Sequence, residues 1–251
     1  VSSFQRFGLV LVLLVLPWGG SCGTPEPRAS SDSSTAPLRI HMISGASEYQ
    51  SARSLSTWKK RLEDRYNIRC TIHLGTDRTK TLRGVDTLSE ADLLVLFNRR
   101  FELNDRYWAP IKTYLASGRP VLGVRTASHA FDRNYPNIDT DLLGADYYGH
   151  GEREEVRVRI AEGAAGHPIL DGVSAWTRTG KLYKNRTFQD TTQVLLTGHG
   201  ASLSEPVAWI NRREGQRIFY TSMGLPADFK NQNFLRLLTN AVEWTTDRSL
   251  D

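Results

Sequence analysis

Arg125 and His129 stand four positions apart in the stretch "GRPVLGVRTASHAF", Gly118 to Phe131. That spacing puts both side chains on one side of a helical turn that starts there. A histidine titrates near neutrality, so His129 is the local candidate for a general base. A guanidinium is permanently charged and is neither a nucleophile nor an ordinary base. Arg125 would instead bind and orient a carboxylate or a fork of sugar oxygens. The plain structural alternative is an ion pair of Arg125 with Glu48 or Asp132 that holds the turn. For His129 the alternative is packing against Phe131 and Tyr135.

The other histidines divide by context. His150, in "YYGHGE", sits on a glycine-flanked segment and is a second candidate for proton transfer. His167, before Pro168, reads as a turn residue whose ring bonds backbone. His41 and His73 lie inside strand patterns and belong to core or surface, and His199, between glycines, to a loop. No two histidines have the helical spacing of a zinc protease site and the acids add no compact ligand signature, so neither a metal nor another cofactor is expected. The chain has two cysteines. Cys70 falls in the alternating "IRCTIHL" and reads as packing, and two cysteines make neither a disulfide framework nor a zinc set.

The elements that must position these residues begin at Leu38. "LRIHMIS", "IRCTIHL", "ADLLVLF" and "PVLGV" are apolar strand candidates. They alternate with helices in "SEYQSARSLSTWKKRLEDRY" and "LNDRYWAPIKTYLAS". Such an order predicts an α/β protein with a doubly wound, mostly parallel sheet and helices on both faces. The second half adds β-rich material: "EEVRVRIAEG", "TQVLLTG", "EPVAWI" and "QRIFYTSMG" read as strands, before a last amphipathic helix in "NQNFLRLLTNAVEW". Residues 132–151 read as a long connection, a rim over a cleft.

Ligands of open α/β sheets gather beyond the carboxyl ends of the strands. Those ends carry Ser44, Glu48, Tyr49, Asn98, Arg99, Arg100, Arg125 and His129. The expected site is a cationic cleft in which Arg125, Glu48, Tyr49, Asn98 and Arg99 contact a ligand. Tyr147, Tyr148 and Tyr183 have apolar faces and polar tips suited to a sugar ring, and Tyr148 and Tyr183 join the binding set.

The 251 residues, 39% apolar and 24% charged, suffice for one sizeable core. The net charge of +5 is interleaved with acids, with no basic block, and argues against nucleic acid as a partner. At the start, Arg6 precedes the apolar "FGLVLVLLVLPW" and the small "GGSC", so residues 1–21 read as a signal peptide. The ending resembles a bacterial lipobox with Gly19 in place of the usual Leu. Cys22 is then the lipidation site, and the chain is either a membrane-anchored lipoprotein or a freely exported, periplasmic one. Residues 22–37 read as a flexible Pro/Ser-rich linker.

From residue 38 to 248 the order of "SGASEYQSARSL", "GRPVLGVRTASHAF", "GHGE", "GHPILDGV", "WTRTGKLYK", "EPVAWINRREGQRIFYTSMG" and "PADFKNQNFLRLLTNAVEW" resembles the ThuA-like (trehalose-utilisation) family of the class I glutamine amidotransferase-like, flavodoxin-like superfamily. The resemblance implies a carbohydrate ligand, a glycoside or keto-sugar derivative. It also marks what is missing. Amidotransferases place a cysteine at the elbow where this chain has Arg125, so no glutaminase activity is expected. Where relatives have a histidine after the late strand, Leu225 stands here. Where they have an acidic pair, Gly180 and Lys181 precede Tyr183. Three readings are left: a sugar-processing hydrolase or lyase using His129 or His150, a carbohydrate or small-anion binding module without turnover, or an envelope scaffold.

Overall fold

The structure, a computed structural model, describes Val1 and residues 36–250. The leader, most of the linker and Cys22 lie outside the described residues. From Leu38 the continuous apolar runs form parallel strands: β1 (Leu38–Gly45), β2 (Ile68–Leu74), β3 (Leu93–Asn98) and β4 (Val121–Val124). Alternate residues of β3 serve two layers. Val95 and Phe97 join the core under α1 (Ser51–Arg65) and α3 (Gln232–Thr246), and Leu94 and Leu96 join the core under α2 (Asp105–Ala116). Both faces of these strands are therefore covered, as a run without polar alternation requires.

The second half corrects the expectation of a mostly parallel sheet. It contains β5 (Asp146–Ile160), β6 (Trp176–Arg186), β7 (Thr192–His199), β8 (Ser204–Arg213) and β9 (Gln216–Thr221). One nine-stranded sheet runs in the order β2-β1-β3-β4-β9-β8-β7-β5-β6. β2, β1, β3, β4 and β9 are parallel, whereas β9–β8, β8–β7, β7–β5 and β5–β6 are antiparallel. The cause is local. Between β8 and β9 the chain turns through Glu214 and Gly215 alone, both at positive φ, a two-residue hairpin that reverses the strand.

Other elements depart from expectation too. Residues 132–151 are not one long connection: they hold a short π-helical turn, Asp139–Leu143, and then enter β5. "WTRTGKLYKNR" is strand β6, and His199 ends β7 instead of lying in a loop. Among the described residues no helix is long and apolar enough to cross a membrane.

His41 and His73 are core residues and bond each other. His41 Nδ1 lies 3.0 Å from His73 Nε2, and His73 Nδ1 lies 3.1 Å from the Arg83 carbonyl. A carbonyl only accepts, so His73 carries its proton on Nδ1 and His41 must donate from its own. Burial, then the His73 and Arg39 charges, lower the His41 pKa to about 4, and burial also lowers that of His73. Between about pH 6.5 and 4 the unfolded chain takes up protons that the folded chain refuses, so stability falls as pH falls, by up to about 1.4 kcal/mol per pH unit for such a histidine. Urea unfolding across that window should give a shallower pH slope for His41→Gln than for the wild type; equal slopes would show that His41 does not carry the dependence.

Candidate functional site

The end of β4 builds the site. Val124 is still extended, and Arg125 turns sharply with φ +47°, the left-handed region that a side chain enters at a cost. The chain then makes a single 3-10 turn, Arg125–His129. Backbone bonds from Arg100 to the His129 carbonyl and from Phe101 to the Ala130 carbonyl, each 2.8 Å, tie this elbow to the exit of β3. The Tyr220 hydroxyl donates to the Arg125 carbonyl at 2.7 Å. Gly224, at φ +139°, lets the loop after β9 approach, because a Cβ there would sit 2.6 Å from Val124 Cγ1.

The Arg125 side chain is 1% exposed. Its Nη1 donates to the Ser222 carbonyl at 2.8 Å, and its guanidinium carbon lies 4.4 Å from the Tyr49 ring centroid and 4.6 Å from that of Tyr183. Neither Glu48 nor Asp132 pairs with it, so the expected ion-pair alternative is not what holds it. Burial opposes its charge, but the Tyr183 and Tyr49 oxygens and Asp228 outweigh burial and raise its pKa, so it stays a cation.

Asp228 is committed elsewhere. Arg178 of β6 grips it at 2.8 Å through Nε and at 2.8 Å through Nη2, and the amides of Gly224 and Leu225 donate to it at 2.9 and 2.8 Å. Both partners are at least nine-tenths buried. Sequence reasoning passed over Arg178, Asp228 and Ser222. The one available signal was the "PADF" segment after Gly224, in which an aspartate closes a tight turn on upstream amides.

The remaining candidates separate into those that join Arg125 and those that do not. His129 stacks on Tyr147 at 5.0 Å and lies 6.2 Å from Tyr183, and Tyr147 and Tyr183 are 4.6 Å apart. Its Nδ1 is 3.0 Å from Ser128 Oγ. Burial, then Arg100, Arg99 and Arg125, lower its pKa to about 3. It is neutral at physiological pH and a poor base there. Tyr147 takes the place in the cluster that the sequence assigned to Tyr148. Tyr148 is 51% exposed and lies under the Arg186 guanidinium.

Asn98 is fully buried and donates to the Ala130 carbonyl at 2.9 Å. Arg99 pairs with Asp77 at 2.6 Å, and Glu48 and Arg100 are exposed at the rim. His150 is exposed, with Nδ1 3.0 Å from the Gly151 carbonyl, although its backbone pairs with that of Tyr183. His167 accepts from the Ile169 amide, as a turn residue would. Burial, then the Glu63 charge, push the Cys70 thiol up to about 12. Among the described residues no three His, Cys, Asp or Glu converge where they could hold a metal ion.

A sharp elbow after a parallel strand, backed by a loop from the next parallel strand, defines an α/β protein that presents a buried cation at a strand end. The chain belongs to the ThuA family, described as trehalose utilisation, whose model matches residues 40–245. A ThuA-like protein from Bacteroides uniformis shares the fold at 18% identity and TM-score 0.66, over 89% of this chain and 95% of that one. One from Parabacteroides merdae does so at 17% and 0.67, over 86% and 92%. The carbohydrate deacetylase Agd3 aligns at 16% identity and TM-score 0.55, over 84% of this chain and 33% of its own. No curated protein matches the sequence.

The geometry sets two outcomes. Asp228→Asn leaves Arg178 buried without a counter-charge and should lower unfolding stability by about 3–5 kcal/mol in urea titrations. At the elbow, Arg125→Gly should be more stable than Arg125→Ala by about 1 kcal/mol, since only the alanine keeps the left-handed penalty. A more stable alanine variant would mean that the turn relaxes when the guanidinium leaves.

Proposed function

We propose that this ThuA-family protein recognises a carbohydrate at the carboxyl ends of β1, β3 and β4 and holds it without attacking it. One observation carries the reading: the elbow residue is a guanidinium enclosed by tyrosine rings, and the histidine beside it is too weak a base to draw a proton near neutral pH. His129, Tyr147 and Tyr183 form an aromatic wall that suits the C–H face of a sugar. Arg100 and Glu48 supply polar groups at its rim. The family's description as trehalose utilisation and the carbohydrate deacetylase that shares the fold point to the same ligand class.

Export of the chain is part of the proposal and rests on the apolar run and Cys22. Loss of fatty-acid labelling in Cys22→Ser would separate an acylated anchor from free secretion.

Calorimetric titration with trehalose and a panel of other disaccharides and keto-sugars should find a binder. Tyr147→Ala should weaken it about tenfold while leaving the fold intact, as expected for one aromatic face. Absence of binding across the panel would sink the reading, and conversion of the bound sugar, seen by chromatography, would replace it with catalysis.

A further inference from the structure

Arg125 is a buried cation in deficit. Burying a guanidinium is costly unless a carboxylate and a full set of acceptors receive it. Here the acceptors are one backbone carbonyl, from Ser222, and the neutral Tyr49 hydroxyl, and the Nε–H has no partner. The carboxylate whose charge reaches it, Asp228, already accepts two bonds from Arg178 and two from backbone amides. Two tyrosine faces replace some of the lost hydration. They do not neutralise the charge.

The deficit is shared by neighbours. Continuing the β3–β4 register, in which Leu96 faces Gly123, sets Asn98 beside Arg125. Asn98 Oδ1 is buried without a partner, as is Thr126 Oγ1 on the following residue. Three unpartnered buried polar atoms, on Arg125, Thr126 and Asn98, thus belong to the ends of two adjacent strands. Around them stand Arg99, paired with Asp77, and Arg100, exposed. His129 is uncharged, and Glu48 is the acid of the rim.

The two rings over the guanidinium are not equivalent. Tyr183 is 1% exposed and belongs to β6, the strand that the Arg178–Asp228 pair fixes. Tyr49 is half-buried and ends a single 3-10 turn, Ser47–Tyr49, followed by Gln50 at φ +50°. One wall is anchored within the sheet, and the other rides on three residues between β1 and α1.

We infer that the carbohydrate bound here carries a carboxylate, as a uronic or aldonic acid does, and that it reaches Arg125 by displacing the Tyr49 ring. This rests on the carbohydrate reading above and narrows it. The carboxylate accepts from the open edge of the guanidinium in the bidentate manner that a planar fork favours. A sugar hydroxyl donates to Asn98 Oδ1. The buried charge then has its counter-ion, and the ordering of Tyr49 becomes a tax that the ligand must overcome.

The test titrates the full chain calorimetrically with D-glucuronate, D-glucose and glucose 6-phosphate, which differ at one carbon. Glucuronate should bind at least about tenfold tighter than glucose, the gap between a charge-assisted and a neutral hydrogen bond. Tyr49→Ala should tighten glucuronate more than glucose, and Arg125→Gln should erase the difference between them. If Arg125→Gln does not fold, salt gives the same information: from about 50 to about 500 mM NaCl the preference for glucuronate in the wild type should shrink. Equal binding of glucuronate and glucose overturns the carboxylate and leaves the carbohydrate reading standing. Tighter binding of the phosphate ester overturns the carboxylate in favour of a phosphosugar. Failure of all three ligands, with the disaccharide panel also silent, removes both readings.

Discussion

The ion pair between Arg178 and Asp228 joins two parts of the sheet that its strand order keeps apart. β6 is five strands from β4, about 24 Å away in a flat sheet at the usual spacing. Yet Tyr183 of β6 touches Arg125 at the end of β4. The antiparallel half must therefore curl back over the carboxyl ends of the parallel half. Register shifts in β5, between Tyr147 and Gly149 and between His150 and Arg153, and in β7–β8 between Val194 and Leu196, supply the bend. The buried pair holds the curled edge against the loop after β9, and two amides from that loop complete the carboxylate's bonding.

Within that frame the identity of one side chain decides the chemistry. The backbone at Arg125 has a strained elbow form, and the group it presents is a delocalised cation. The same cation, with Arg99 and Arg100, acts on His129 through space and suppresses its basicity beyond the effect of burial. Arginine at the elbow thus adds to the burial and to the Arg100 and Arg99 charges that keep His129 neutral. Arg125 itself keeps a permanent charge.

The parallel half was legible because strands buried on both faces have no polar alternation to disguise them; "ADLLVLF" and "PVLGV" could be little else. The elbow was legible for the same reason, as a strand meeting polar and small residues. β6 was not, because its inward positions include Arg178, whose burial makes sense only through a partner fifty residues away. The choice between Tyr147 and Tyr148 turned on a bulge beside them, and a single-residue shift in a strand exchanges its faces. His41 and His73 looked incidental because the bond that explains them crosses between strands.

The aromatic cage also has a kinetic meaning. Its members come from the turn after β1, the elbow after β4, the start of β5 and the middle of β6, so nearly the whole chain must be threaded into register before Tyr49, Arg125, Tyr147 and Tyr183 can meet. Contacts of such long sequence separation form late, after loop closures that are entropically uphill. The cage therefore reports completed assembly: a chain stalled with the parallel half alone lacks Tyr147 and Tyr183.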